Sequence, residues 1–195
     1  MIAKMSERTE KRIGGKDLDI FPACLFTRGS LVKTDERRWR VLYTKSRQEK
    51  AVARQLATMD VPFYLPLLSR VSISRGRKTT SRVPLFSNYL FMFGDEEERV
   101  SALATNRLSR VIEVEDGRQI WSDLQQLASA IHRGAPLTKE ERLCPGQRVR
   151  VRSGQLRGLE GTVVERQGQR RLVVAVNFLQ QGASMLLDDC QIEAI

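Results

Sequence analysis

Histidine and cysteine are scarce in this 195-residue chain, which has one His and three Cys. Cys24, Cys144 and Cys190 lie far apart, with no C-x-x-C pair and only His132 to complete a ligand set. That excludes the usual zinc spacings, and an odd, scattered set of thiols does not build a disulfide framework. A reducing cytosol fits such a chain, so a cytoplasmic location is expected. Long apolar runs are missing too: none approaches the roughly 18 residues of a membrane span. Residues 1–16 are polar and charged, and the patch Phe21–Phe26 is too short and too late for a signal-peptide core. The phosphate-binding, nucleophile-elbow and zinc-protease signatures (P-loop, G-x-S-x-G, H-E-x-x-H) do not occur. The acids from Asp95 to Glu98 are consecutive, so they cannot converge on one ion; they suit the start of a helix, where the macrodipole favours them. His132, beside an apolar helical face, reads as packing or a surface tip. The residues therefore point to no enzyme, no metal and no cofactor.

What the chain has in surplus is positive charge. It carries 33 Lys and Arg against 23 Asp and Glu, a net +10. Residues 37–135 hold 17 of the bases and 10 of the acids, so most of the excess sits in that span. A surplus of this kind suits a polyanionic partner, either nucleic acid or an acidic protein surface.

The texture of the chain divides it into an extension at 1–36, a mixed domain at 37–134, a linker at 135–145 and an all-β segment at 146–195. In the extension, Gly14-Gly15 and mixed charges give no sustained period, and the Phe21–Phe26 patch is expected to dock on the domain behind it. The segment Arg38–Tyr43 is β-rich. A helix follows, with Ser46 as the expected cap, Glu49 at the capping-box position, and Val52, Leu56 and Met59 on one face. Residues 63–68 read as a strand entering a hairpin. Arg70, Arg75, Arg77, Lys78 and Arg82 then appear without an acid among them, and Gly76 falls where a turn belongs. An apolar strand is expected over Val83–Phe93, a short helix from Asp95, a strand over Arg110–Val114 and a long helix over Ser122–His132. This alternation predicts an α+β domain, an antiparallel sheet covered by helices. Thr138–Arg142 reads as a polar turn inside the linker. Beyond it, five short strands in about fifty residues, divided by glycine turns, fit a small barrel.

The most specific motif is Pro145-Gly-Gln-Arg-Val-Arg-Val-Arg-Ser-Gly154 followed by Gln-Leu-Arg-Gly158-Leu-Glu-Gly161-Thr-Val163. Val149 and Val151 alternate inward, Gly154 and Gly158 permit a tight reversal with positive φ, and Gly161 permits a bent strand with no room for a side chain. This segment resembles the KOW motif of SH3-like barrels. Trp39–Tyr43, the helix start at Arg47–Lys50, Tyr64-Leu-Pro66 and Pro84-Leu-Phe-Ser-Asn-Tyr-Leu-Phe91 resemble the N-terminal domain of the NusG family. Together the two resemblances cover about residues 37–195. The basic hairpin followed by the Leu-Phe-x-Asn-Tyr-Leu-Phe strand looks closer to specialised paralogues of the RfaH and UpxY type. Ser87 stands where family members commonly have Pro.

The resemblance implies binding and no chemistry. An aromatic hollow that grips the clamp helices of RNA polymerase would match Tyr43, Tyr64, Phe86, Tyr89 and Phe91. About half of these must serve as core in an alternating strand, and the hydroxyls of Tyr43 and Tyr89 favour a wet edge. Arg75, Arg77, Lys78 and Arg82 would approach upstream DNA, and Lys45 and Arg47 the non-template strand, with Arg110 a further candidate. The KOW domain, with Gly154, Gly158 and Gly161 forming its turn, would meet a small-subunit ribosomal protein or Rho through Leu156, Leu159 and Phe178. Its evenly spaced valines predict a barrel rather than the helices that some paralogues form there. The implied role is a monomeric elongation and antitermination factor. A housekeeping NusG assisting Rho, and a ribosomal or RNA-binding KOW protein, are the alternatives.

Overall fold

The computed structural model of the chain describes residues 18–27, 36–74, 76–140, 146–166, 168–187 and 192–195. Its centre is a five-stranded antiparallel sheet of β1 (Ile20–Phe21), β2 (Arg38–Thr44), β3 (Phe63–Tyr64), β6 (Tyr89–Gly94) and β7 (Leu108–Glu113), in the order β1-β3-β6-β2-β7. Alternation along the central strands divides the apolar side chains between two faces. Leu42, Phe63, Leu90 and Met92 pack with Val52, Ala53 and Leu56 of α1 (Glu49–Thr58) and Ala102 of α2 (Glu96–Ala104). Trp39, Val41, Phe91 and Phe93 pack on the opposite side with Ile120, Leu124 and Leu127 of α3 (Gly117–His132). Among the described residues one cation is buried in this scaffold. Arg40, 3% exposed, donates to the carbonyls of Gly94 at 2.6 Å and Asp95 at 3.0 Å and to the Glu113 carboxylate at 2.8 Å. A guanidinium out of water is tolerable only when its donors are matched in this way, and here it ties β2 to the start of α2 and to β7.

Several local expectations need correction. Ser46 does not cap α1; Gln48 occupies the N-cap without a side-chain hydrogen bond. Glu49 instead turns its carboxylate outward from its own helix to accept the backbone N–H of Asn88 at 2.7 Å. The acid run does open α2, through a capping box between Asp95 and Glu98. α3 starts at Gly117, earlier than the apolar stripe suggested, because the Asp116 carboxylate accepts from the backbone N–H groups of Arg118 and Gln119. The strand expected over 63–68 breaks after Tyr64, where Pro66 has no N–H to pair and its carbonyl accepts from Leu85 N at 2.8 Å. The strand expected over 83–93 is likewise two pieces, separated by a turn in which Asn88 has φ of 68°. What lies between is a two-stranded ribbon of its own, β4 (Leu67–Ser74) and β5 (Arg77–Pro84), turning at Gly76 with φ of 75°.

The C-terminal segment is all-β, as its valines require. β8 (Thr138–Glu140), β9 (Gln147–Val151), β10 (Glu160–Arg166), β11 (Gln169–Val176), β12 (Gln181–Leu186) and β13 (Ile192–Ala194) form an antiparallel sheet in the order β13-β9-β10-β11-β12-β8. Val149, Val151, Leu172, Val174, Val176, Ala183 and Met185 are buried within it. Thr138–Glu140 is therefore no linker turn. It pairs with Gly182–Ser184 and covers what would otherwise be the open edge of β12.

The two sheets share one apolar cluster because α3 lies against both. The polar seam is specific. Asp123 accepts from the Asn177 backbone N–H at 2.8 Å, from its side-chain amide at 3.1 Å and from Gln119 at 2.7 Å. Arg133 donates to the carbonyls of Gln155 and Arg157, and Gln126 accepts from Glu160 N. Burial raises the Asp123 pKa above the usual carboxylate value, outweighing the hydrogen bonds that lower it. The folded chain thus holds this proton more tightly than the unfolded chain. Its contribution to stability is complete below the ordinary carboxylate pKa and is lost as pH rises through the raised value. Denaturant midpoints should fall over that window in the native protein, and Asp123→Asn should flatten the fall; an unchanged slope would show that another group titrates there.

Candidate functional site

Three loops converge at the end of the central sheet where β2 finishes and β6 begins. Tyr43 and Tyr89 face each other across the two strands, with ring centroids 5.2 Å apart and planes at 62°. The Arg110 guanidinium lies over the Tyr43 ring, 5.2 Å from its centroid. Both rings are half-buried and Arg110 is exposed, so this is an open edge rather than core. Around it the backbone is knitted together: Thr44 N donates to Asn88 O and Lys45 N to Arg107 O, each at 2.8 Å. The Lys45 ammonium donates to the carbonyl of Asn106 at 2.8 Å and to its side chain at 3.1 Å, while Arg107 bonds to Gln48. Arg47, Asn88 and Asn106 all have positive φ, at 59°, 68° and 57°. Asparagine tolerates that conformation, whereas for arginine it costs on the order of 1–3 kcal/mol that surrounding contacts must offset.

This edge brings together Tyr43, Tyr89, Lys45, Arg47 and Arg110. Arg107, Gln48, Asn88 and Asn106 join them and were not anticipated. Their signal was present only as an Asn-Arg pair after a helix and an Asn before a strand, which are ordinary turn residues in sequence. The other three aromatics do not reach the edge. Tyr64 is 3% exposed, and Phe86 and Phe91 are fully buried, so in this conformation they pack the core and offer a partner no surface. Phe91 shares a face of β6 with Tyr89 but lies one residue pair further into the sheet, in the cluster with α3. The Tyr64 hydroxyl is buried without a hydrogen-bond partner among the described residues, and burial pushes its pKa far up.

The ribbon β4–β5 joins the edge directly, since the loop 85–88 connects it to Tyr89. Arg77 and Lys78 are exposed on it, and so are Val71 and Ile73. Arg82 is half-buried at the root and pairs with Asp19. Arg75 lies outside the described residues.

The sequence of the central domain decides its family. Residues 37–128 match the family model described as transcription termination factor nusG. The chain carries a NusG-family domain over those residues. A solved structure titled "Domain interaction in Thermotoga maritima NusG" is similar at 14% identity and a TM-score of 0.38, over 79% of this chain and 99% of that one. The match places Tyr43, Tyr89, Lys45, Arg47, Arg110 and the ribbon inside the NusG-family domain, with the six-stranded sheet beyond it. The family is one of transcription elongation and termination factors, which suggests RNA polymerase as a partner. Among the described residues no group of side chains could hold a metal ion, and no helix is long and apolar enough to cross a membrane.

In the C-terminal sheet the three glycines expected to form a KOW turn divide by task. Gly154 and Gly158 have φ of 79° and 85°, closing a turn in which Gly158 N donates to Val151 O at 2.8 Å. Gly161 needs space instead, because a Cβ there would meet Val173 O at 2.4 Å. Leu156 and Leu159 are buried, 8% and 1% exposed, and give no contact surface in this conformation; Phe178 is 37% exposed and does. Gly161→Ala must push β10 from β11, so a loss of about 1–3 kcal/mol is expected from thermal or denaturant melts; a variant as stable as the parent would mean that β11 yields without cost.

Proposed function

We propose that the protein carrying this NusG-family domain is a transcription elongation and antitermination factor that docks on RNA polymerase through the Tyr43–Tyr89 edge and steadies nearby nucleic acid with the adjacent cations. The observation that carries the reading is the pairing of two half-buried tyrosines with an exposed arginine at the rim of the NusG-family domain. Aromatic rings with a polar tip bury large area at little entropic cost and are enriched where interfaces are strongest. Lys45, Arg47, Arg110 and the ribbon's Arg77 and Lys78 supply positive charge to non-template or upstream DNA through phosphate contacts. No catalytic step is assigned.

On this reading the protein is a specialised relative of the RfaH and UpxY type, and its C-terminal KOW domain recruits a small-subunit ribosomal protein or Rho. Phe178 is the exposed apolar residue suited to that contact. The description of the matching family as a termination factor favours a second reading, in which the protein assists Rho. Single-round transcription across a terminator separates the two. Read-through supports antitermination, and enhanced Rho-dependent release supports the housekeeping role.

Tyr89→Ala should abolish capture of RNA polymerase by the full chain while its circular dichroism stays unchanged. Undiminished capture would remove the edge from the interface. Binding of the full chain to a single-stranded DNA oligonucleotide should weaken steeply with salt. Arg77→Ala with Lys78→Ala should make that dependence shallower, by about 0.7 in log–log slope for each phosphate no longer neutralised. A flat salt response in the parent chain would count against any nucleic-acid role for the ribbon.

A further inference from the structure

Two surfaces at opposite ends of the central sheet show water apolar side chains beside charge of a single sign. The first is the ribbon β4–β5, whose register fixes two faces. Val71 stands opposite Thr80 and Ile73 opposite Lys78, so these four share a face, while Ser72, Thr79 and Arg77 take the other. Val71 is 52% exposed and Ile73 76%. No acid occurs between Leu67 and Pro84. The ribbon pairs with no other strand, so both of its outer edges are open as well.

The second surface is a cleft of about 340 Å³ where the end of β7 meets the start of α3 and the turn after β11. Ile112, Ile120 and Phe178 supply its apolar lining, and Glu113, Glu115 and Asp116 its charge. Among the described residues no Lys or Arg lines it, a local reversal in a chain of net charge +10. Phe178 is fixed there because its neighbour Asn177 is bonded to Asp123 of α3. β7 reaches the cleft at Glu113, paired with Arg40 near the start of β2. The ribbon joins the sheet at the far end of β2, where Tyr43 pairs with Tyr89. Within one chain the length of β2 separates the two surfaces, and both stay exposed.

We propose that the ribbon of one chain docks in the cleft of a second copy, with Ile73 entering beside Ile112 and Phe178 and Lys78 meeting Glu115 and Asp116. Each surface has an apolar centre, and the charges beside those centres are opposite in sign. The two surfaces differ, so the contact is heterologous: it leaves an open ribbon at one end and an open cleft at the other, and it can extend. One ribbon face covers less area than a standard interface buries, so association is weak and rises with concentration. The cations assigned above to nucleic acid lie on the same ribbon, and Phe178 borders the cleft, so self-association competes with both of those contacts. The inference does not rest on the polymerase reading, and it departs from the monomer that the family resemblance implies.

Sedimentation of the full chain over a wide concentration range tests it. The parent should form dimers and longer species as concentration rises and return to monomer in high salt, which screens exposed charges. Ile73→Ser and Glu115→Lys should each weaken association about 10-fold or more. Both positions are exposed, so circular dichroism should not change. Mixed in equal amounts, the two variants should form a heterodimer that grows no further, since one supplies the intact cleft and the other the intact ribbon. A parent that stays monomeric throughout would overturn the contact. Association that both variants leave intact would place it on another surface, and variants that cannot complement each other would make it self-complementary; either result also overturns the proposal. A monomeric parent whose Glu115 and Phe178 amides shift on titration with a synthetic peptide of residues 69–84 would assign the cleft to a separate basic protein, and no longer to a second copy.

Discussion

The rest of the structure depends on α3 having two partners. Ile120, Leu124 and Leu127 recur at helical spacing and close one face of the central sheet, which would otherwise expose Val41, Phe91 and Phe93 to water. The same helix offers Asp123, Gln126 and Arg133 to the six-stranded sheet. Apolar burial supplies most of the attraction, at about 25 cal/mol per Å² removed from water. The direction of docking comes from the carboxylate. Asp123 is buried, and it is tolerable there because Asn177 supplies both a backbone and a side-chain donor. Had the C-terminal sheet been rotated, that carboxylate would lose both Asn177 donors and keep only Gln119, a larger penalty than the misplacement of any one methyl group.

The two sheets differ in how far their sequences disclose them. The C-terminal one was legible almost throughout, since β-branched alternation and three glycines of distinct purpose leave few alternatives. Gly154 and Gly158 take the positive φ, and Gly161 sits where a carbonyl leaves no room. Thr138–Glu140 escaped because a polar tripeptide carries no strand signal; it is a strand only because the edge of β12 needs a partner. In the central domain the α+β order was legible, but the breaks at Pro66 and Asn88 were not. Both depend on which backbone groups find partners across the turn, which is tertiary information. Glu49 makes the same point, because its spacing suited a local capping box and its carboxylate went to a distant loop instead.

The candidate site was half legible for a single geometrical reason. Alternation says that neighbouring aromatics on a strand face opposite ways, but it does not say how far along a strand the core extends. Tyr89 and Phe91 share a face; one is at the rim and the other beneath α3. The preference of a phenol hydroxyl for water is met by Tyr43 and Tyr89 at a wet edge and denied to Tyr64, whose hydroxyl is buried without a partner among the described residues. That exception is informative, since sequence-level rules break most often where a surface is kept for something other than stability.

The rim itself shows how such a surface is kept in shape. Three residues with positive φ surround the tyrosine pair, and only two of them are asparagines. Arg47 holds its strained backbone because the strand ends on either side are pinned: Thr44 to Asn88, Lys45 to Arg107 and Asn106, and Asn88 to Glu49. The strain and the pins have the same consequence. They fix the loop that carries Lys45 and Arg47 before any partner arrives, so less conformational freedom remains to be lost on contact. A looser loop would carry the same charge, yet much of the attraction would then be spent on ordering it. Positive charge alone therefore does not distinguish this rim from the rest of a basic protein; its fixed backbone and its edge-on tyrosine pair do.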